Sequence, residues 1–93
     1  MTDNVRAHAV ITGIVQGVFF RLETLRTAEQ HRVKGWVRNR SDGSVEAVFE
    51  GPQNQVDAVL RWCRQGPARS AVDRVDVNWE DFSGQYSRFE ITY

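Results

Sequence analysis

Two polar side chains stand where the chain is predicted to turn, and their chemistry suits the binding of an anion. Arg21 falls at the start of a helix-like segment, directly after a turn formed by residues 16–20. A cation there is unfavourable by about 0.3–1 kcal/mol, because the N-terminus of a helix is itself electropositive. Asn39 ends a strand-like segment directly before a second turn. Both residues are candidates for function.

The turn before Arg21 has the features of a phosphate-binding loop. Gly17 can adopt a positive φ, which lets a loop turn its amide groups inwards. A turn from a strand into a helix then points successive backbone N–H groups at one spot, at the positive end of the helix. The planar guanidinium of Arg21 adds donors that suit phosphate oxygens. The alternative is an ordinary turn in which Arg21 extends into solvent or pairs with Glu23.

Other catalytic chemistries lack their usual residues in this sequence. The two histidines, His8 and His31, have no Cys, His, Asp or Glu neighbour at the spacing of a metal site, so no metal is predicted. Cys63 belongs to the apolar stripe of a helix and is interpreted as core packing. Neither a Gly-x-Ser-x-Gly nor a Gly-x-x-x-x-Gly-Lys motif occurs.

The first half of the chain alternates between strand and helix periods. Residues 5–11 alternate apolar and polar side chains, which predicts a strand. Residues 21–30 have the apolar spacing of a helix. The residues that recur three apart in that helix are Leu22, Leu25 and Ala28. Residues 34–39 and 45–49 are predicted strands, joined by the Asp-Gly turn of residues 40–43.

The second half repeats this alternation and completes the predicted fold. A second helix buries one stripe of side chains at i, i+3, i+4 and i+7. That stripe consists of Val56, Val59, Leu60 and Cys63. Residues 75–79 are a predicted fourth strand, and residues 89–93 a short last one. The order β-α-β-β-α-β plus a C-terminal strand predicts an α+β, ferredoxin-like sandwich, with an antiparallel sheet and both helices on one face.

Two stretches of the sequence resemble the signatures of one family. GIVQGVFFR, residues 13–21, resembles the first signature of acylphosphatases, G-x-V-Q-G-V-x-F-R. GWVRNRSDGSVEAVFEG, residues 35–51, resembles their second signature. Together with the flanking periodicities, the two motifs cover essentially the whole chain, which is identified as a single acylphosphatase-like domain spanning residues 1–93. The resemblance implies an enzyme that hydrolyses an acyl phosphate to a carboxylate and inorganic phosphate, without a metal or another cofactor.

The resemblance also assigns roles to individual residues. In acylphosphatases the signature arginine and the loop amides bind the phosphoryl group, and a second-signature asparagine orients the attacking water. These roles fall on Arg21 and Asn39. The implied phosphate-binding amides are those of Gln16, Gly17, Val18, Phe19 and Phe20. Phe19 stands where many members of the family have glycine, and the loop is expected to keep its shape only if the φ of Phe19 is negative.

Such a sparse site suits the chemistry of an acyl phosphate. The leaving carboxylate belongs to an acid with a pKa of about 4, so it departs without protonation. Phosphoryl transfer usually passes through a loose transition state that demands little of the nucleophile. An amide such as that of Asn39 can hold a water in line with the bond that breaks, although it is not a strong base. Inorganic phosphate or sulfate is the expected product-like ligand.

Two rival classes share the predicted topology. An RNA-recognition motif would need aromatic side chains on its first and third strands to stack bases. Here the first strand has none, and the third has only Phe49, whose parity places it in the core. The second rival is a regulatory or carrier domain that binds a small anion without turnover. A variant of it is an acylphosphatase-like domain for carbamoyl phosphate within larger maturation proteins.

Composition sets the expected partners and compartment. Twelve basic and twelve acidic residues cancel, so a dominant affinity for nucleic acid or a membrane surface is not expected. The one cysteine excludes an internal disulfide, no apolar run could span a membrane, and the N-terminus lacks the apolar core of a signal peptide. A monomer in the cytoplasm, acting on a small acyl phosphate, is the expectation.

Overall fold

The computed structural model of the chain describes residues 3–93 and has the predicted succession of elements. The elements are β1 (Asn4–Ile14), α1 (Phe20–Gln30), β2 (Lys34–Asn39), β3 (Val45–Pro52), α2 (Gln53–Gln65), β4 (Ala71–Glu80) and β5 (Phe89–Ile91). The predicted order of strands and helices is therefore confirmed. The last strand ends at Ile91, so Tyr93 lies just beyond it.

The sheet has the strand order β4-β1-β3-β2-β5. Strand β3 lies at its centre and pairs antiparallel with both β1 and β2, while β1 also pairs antiparallel with β4 at the edge. These four strands form the antiparallel sheet that the sequence predicts. The terminal strand β5 pairs parallel with β2, which makes the whole sheet mixed. Strand β2, which ends in Asn39, is thereby held on both sides.

Both helices cover the same face of the sheet, over one apolar core. On β1 the side chains that face the helices are Ala7, Ala9 and Ile11, all with no exposed surface. The four residues of the predicted stripe on α2 are buried, as expected. Phe49 also lies fully inside this core, so the sheet offers no aromatic platform there for stacking bases.

The buried face of α1 differs from the predicted one. Its buried residues are Phe20, Thr24 and Ala28, whereas Leu22 is 37% exposed. The spacing of four residues keeps these three side chains in line along one face of the helix. The buried hydroxyl of Thr24 donates a hydrogen bond of 2.7 Å to the carbonyl oxygen of Phe20, which makes a polar core position tolerable. An apolar pattern alone misplaces this face, because one of its members is a threonine.

The opposite face of the sheet carries a charged cluster around Glu50. Arg6 donates to Glu50 at 2.9 Å and to Glu80 at 2.8 Å. The backbone and hydroxyl of Ser83 and the backbone of Gly84 also donate to the carboxylate of Glu50. Burial disfavours the charge on Glu50, but the bonds from Ser83 and Arg6 outweigh burial and lower the pKa of this carboxyl. The cluster fastens the segment between β4 and β5 to the sheet.

Neither helix of the described chain has the length and apolar character required to span a membrane.

Candidate active site

The loop between β1 and α1 changes direction at two residues with positive φ. Gly17 has a φ of 76° and Phe19 has a φ of 64°. The positive φ predicted for Gly17 is confirmed, and this conformation favours glycine. The loop ends at Phe20, which is buried and whose ring centroid lies 5.5 Å from that of Trp62 on α2. This packing fixes the first residue of α1 and, with it, the position of Arg21.

The negative φ that the loop is expected to need at Phe19 is not found. Phe19 occupies the left-handed region with φ 64° and ψ 23°, the conformation that a glycine at this position would adopt readily. Phe19 is 69% exposed, so its side chain is not packed into the core. The loop thus keeps its positive φ with a phenylalanine in place, at the expense of backbone strain of about 1–2 kcal/mol.

The amide groups of the loop have no partners within residues 3–93. No backbone N–H group from residue 16 to residue 22 donates to a carbonyl or a side chain there, and the first bond into the helix runs from the N–H of Glu23 to the carbonyl of Phe19. No side chain caps α1 either. Consecutive amides without partners at the start of a helix are a region of positive potential that suits an anion.

Arg21 and Asn39 line the same cavity, which has a volume of about 310 Å³. Three residues of the predicted phosphate loop line it as well, namely Gly17, Phe19 and Phe20. The structure therefore brings together most of the predicted site, although its two polar side chains come from separate motifs. Gln16 and Val18 are not among the residues that line the cavity.

Arg21 is held by an aromatic contact and not by an acid. Its guanidinium carbon lies 5.4 Å from the centre of the Tyr93 ring. Glu23 is engaged elsewhere, because it accepts a hydrogen bond of 2.8 Å from Arg26. Arg21 forms no ion pair in the described part of the chain, which rules out the pairing with Glu23 that the sequence left open. A cation that contacts an aromatic ring keeps its N–H donors available for an incoming anion.

Asn39 presents a buried oxygen that has no partner. Its backbone pairs with Val45 of β3 at the end of the hairpin. Its side-chain Oδ1 is buried and, within residues 3–93, accepts no hydrogen bond. Leaving such an acceptor unpaired costs about 1–3 kcal/mol, so native proteins rarely keep one without a reason. An acceptor of this kind can take a hydrogen bond from a water in the cavity.

Gln16 has a structural role that the sequence did not reveal. Its side-chain amide donates to the carbonyl oxygens of Arg40 at 2.8 Å and Ser44 at 2.9 Å, both in the β2–β3 hairpin. The hairpin is closed by Asp42, which accepts bonds from the backbone and hydroxyl of Ser44. Gln16 therefore ties the loop before Arg21 to the turn after Asn39.

The remaining walls of the cavity are apolar and come from three elements. They are Val15, Leu22, Ile91 and Tyr93. No sequence pattern assigns Tyr93 to the site, because its place beside Arg21 depends on the parallel pairing of β5 with β2. The position of Leu22, one residue after Arg21, is a sequence signal for its place in the cavity wall. The apolar spacing of α1 assigns Leu22 to the core instead.

The residues set aside as non-catalytic lie outside this cavity. His8 contacts Glu46 at 2.7 Å, and His31 contacts Gln55 at 2.7 Å. Cys63 is fully buried, and burial raises the pKa of its thiol to about 12. Across residues 3–93, no three side chains of His, Cys, Asp or Glu gather into a group that could hold a metal ion.

Comparison with known proteins gives consistent matches over nearly the full length of the chain. The family model for acylphosphatases matches residues 7–91. An acylphosphatase of Pelotomaculum thermopropionicum is 50% identical over 88 residues, which cover 95% of this chain and 96% of that protein. The acylphosphatase structure from Bacillus subtilis matches with a TM-score of 0.92 at 32% identity, over 96% of this chain and 99% of that one. A phosphate- and nucleotide-bound full-length HypF matches with a TM-score of 0.86 at 25% identity, over 100% of this chain but 12% of HypF.

Proposed function

The chain belongs to the acylphosphatase family and hydrolyses acyl phosphates, and from this premise we propose which of its residues carry the reaction. Arg21 and the backbone amides of residues 16–20 bind the phosphoryl group. Asn39 holds the water that attacks it. The site acts without a metal or another cofactor, and inorganic phosphate or sulfate binds as a product-like ligand.

The binding role of the loop rests on its free donors. The backbone amides of residues 16–22 have no partners in the described chain, and Arg21 forms no ion pair there. A phosphoryl group between them would satisfy both sets of donors at once. Negative charge on the phosphoryl and bridging oxygens increases during the reaction, and donors fixed in advance stabilise that charge most effectively. The donors of the loop therefore serve the transition state as well as the substrate.

The observation that carries the proposal for Asn39 is its buried, unpartnered Oδ1 in the cavity that Arg21 also lines. A water that donates one hydrogen bond to this oxygen is fixed in orientation, with a lone pair free to attack phosphorus. The amide is too weak a base to take the proton of the water, which instead ends on an oxygen of the product phosphate or in solvent. Because the carboxylate leaves without help, positioning alone accounts for a large part of the acceleration.

The proposal is tested by phosphate release from acetyl phosphate in the presence of excess EDTA. We expect turnover to be unchanged by the chelator, since the proposed groups are all supplied by the chain. Turnover that stops with EDTA and returns with added Mg²⁺ would contradict the metal-free site. Binding of inorganic phosphate without any turnover would instead support the rival class of anion-binding domains.

We further propose that residues 1–93 form a single domain that acts as a monomer in the cytoplasm and does not bind nucleic acid. The net formal charge of zero and the burial of Phe49 support the absence of a nucleic-acid surface. A single buried cysteine is compatible with a reducing compartment. Light scattering and an RNA titration at physiological salt check the monomer and the lack of binding.

A further inference from the structure

Phe19 combines two unfavourable features that its surroundings in the protein do not offset. It is a large apolar side chain that is 69% exposed, and its backbone has a left-handed conformation that disfavours any residue with a Cβ atom. It also stands at the N-cap of α1 without making a capping bond. Strained residues cluster at functional sites, so the ring of Phe19 is a candidate for contact with the substrate.

The ring belongs to an apolar rim around the cavity of Arg21 and Asn39. We use the name acyl rim for Phe19, Leu22 and Tyr93, which all line this cavity and are 69%, 37% and 95% exposed. Exposed apolar side chains that stand together beside polar groups commonly mark a binding surface. Two of the three flank Arg21 in the sequence, Phe19 as the N-cap of α1 and Leu22 in its first turn, so this part of the rim and the guanidinium are presented together.

The covalent structure of an acyl phosphate places its acyl group at this rim. The acyl carbon is joined to phosphorus through a single oxygen, so it lies only a few ångströms from the group that Arg21 binds. Arg21 is the one cation among the residues lining the cavity, and the phosphoryl group occupies it. A negatively charged acyl group therefore finds no second cation there, whereas a flat apolar one covers the exposed rings.

Resting on the function proposed above, we propose that the protein prefers acyl phosphates with an aromatic or branched apolar acyl group, and that Phe19 determines this preference. The phosphoryl group is bound by Arg21 and the loop amides, and the acyl group lies against the acyl rim. Removal of an apolar contact from such a subsite changes discrimination between substrates by about tenfold.

The test compares kcat/KM for benzoyl phosphate and acetyl phosphate in the wild type, Phe19→Asn and Leu22→Gln. Asparagine tolerates the left-handed conformation, so Phe19→Asn removes the ring with little change of the loop. Leucine and glutamine have similar helix propensity, so Leu22→Gln changes the rim without disturbing α1. The ratio of the two values cancels any effect of a variant that acts on both substrates alike. Arg32→Gly serves as the control, because Arg32 also has a positive φ of 57° but does not line the cavity.

We expect Phe19→Asn to lower the benzoyl-to-acetyl ratio by about tenfold and Leu22→Gln to lower it less, while Arg32→Gly keeps the wild-type ratio. An unchanged ratio in Phe19→Asn, including an equal loss for both substrates, would overturn the proposal while leaving the proposed activity intact. A wild-type protein that releases phosphate from neither substrate would instead overturn the proposed function on which the preference rests.

Discussion

The side-chain amide of Gln16 donates a hydrogen bond of 2.9 Å to the backbone carbonyl oxygen of Ser44, which joins the two halves of the site. A second bond from the same nitrogen reaches the carbonyl oxygen of Arg40 at 2.8 Å. Gln16 precedes the loop that leads to Arg21, and the hairpin it contacts begins directly after Asn39. Gln16 therefore adds a direct link, beyond the pairing of β1, β3 and β2, between the phosphate-binding group and the water-binding group.

Gln16→Met removes both bonds while keeping a side chain of similar length. We expect kcat/KM for acetyl phosphate to fall by about tenfold to a hundredfold, because a small misplacement of positioning groups is enough for such a loss. The matched control is Gln65→Met at the exposed end of α2. Wild-type kcat/KM in a folded Gln16→Met protein would show that the hairpin holds its position without Gln16.

Asn39→Ala separates activity from stability. Because Oδ1 of Asn39 is buried and accepts no bond within residues 3–93, the substitution removes an unsatisfied acceptor. We expect kcat to fall by at least about a hundredfold, by analogy with the loss of one fixed catalytic donor. The free energy of unfolding should remain within about 1 kcal/mol of the wild type or rise. Steady-state kinetics and urea unfolding measure the two quantities.

The binding of inorganic phosphate distinguishes the possible roles of Asn39. If Asn39 holds only the water, the inhibition constant for phosphate changes little in Asn39→Ala, because the loop and Arg21 remain in place. A large loss of phosphate inhibition would mean that Asn39 shapes the loop. Asn78→Ala, at an exposed position on β4, is the control for the loss of an asparagine from a strand.

Phe19→Gly is expected to stabilise the protein. Glycine adopts a positive φ without the steric cost of a Cβ atom, although it loses more backbone entropy on folding, so the net gain is about 0.5–1 kcal/mol. Arg32→Gly should give a similar gain, since Arg32 has the same kind of conformation away from the site. Urea unfolding with an unchanged m-value checks both. A destabilised Phe19→Gly protein would mean that the ring makes contacts that contribute to the fold.

Acid should weaken the fold through Glu50. Its pKa in the folded protein is lowered from 4.5, because the bonds from Ser83 and Arg6 outweigh the opposing effect of burial. A carboxyl with a lowered folded pKa contributes stability that is fully present above its unfolded pKa and is lost as the pH falls through the folded one. The unfolding free energy should therefore drop below pH 4.5.

Glu50→Gln removes this titration and tests its source. The slope of unfolding free energy against pH between about pH 5 and pH 3 should decrease, by up to about 1.4 kcal/mol per pH unit for one group. Glu29→Gln, at an exposed position of α1, should retain the wild-type slope. An unchanged slope in Glu50→Gln would assign the acid sensitivity to other carboxyl groups.

Much of the fold was predictable because its patterns are local. The alternation along β1 and the stripe on α2 both reflect one face packed on a core, and these residues are buried. The predicted buried face of α1 is wrong because Thr24 is part of the real one. Its hydroxyl is satisfied by a bond to the carbonyl of Phe20, which apolar spacing does not detect. The parallel pairing of β5 was not specified, since so short a strand carries no signal for its neighbour.

The site was predictable as two motifs, but its assembly was not. Arg21 and Asn39 stand out by type and position, and the resemblance to acylphosphatases assigns both to one site. The positive φ of Phe19 runs against residue preference, so no rule based on side-chain type would predict it. The contacts of Gln16 with the hairpin and of Tyr93 with Arg21 exist only in the folded chain.

The proposed roles are tested most directly by kcat/KM of Arg21→Gln for acetyl phosphate, measured beside Arg26→Gln. Both arginines lie on α1, but Arg26 is exposed and paired with Glu23. Circular dichroism and urea unfolding establish that each variant is folded. We expect a loss of about 10²–10⁵-fold for Arg21→Gln and less than about twofold for Arg26→Gln. A folded Arg21→Gln protein with near-normal turnover would contradict the assignment of phosphate binding and charge stabilisation to Arg21.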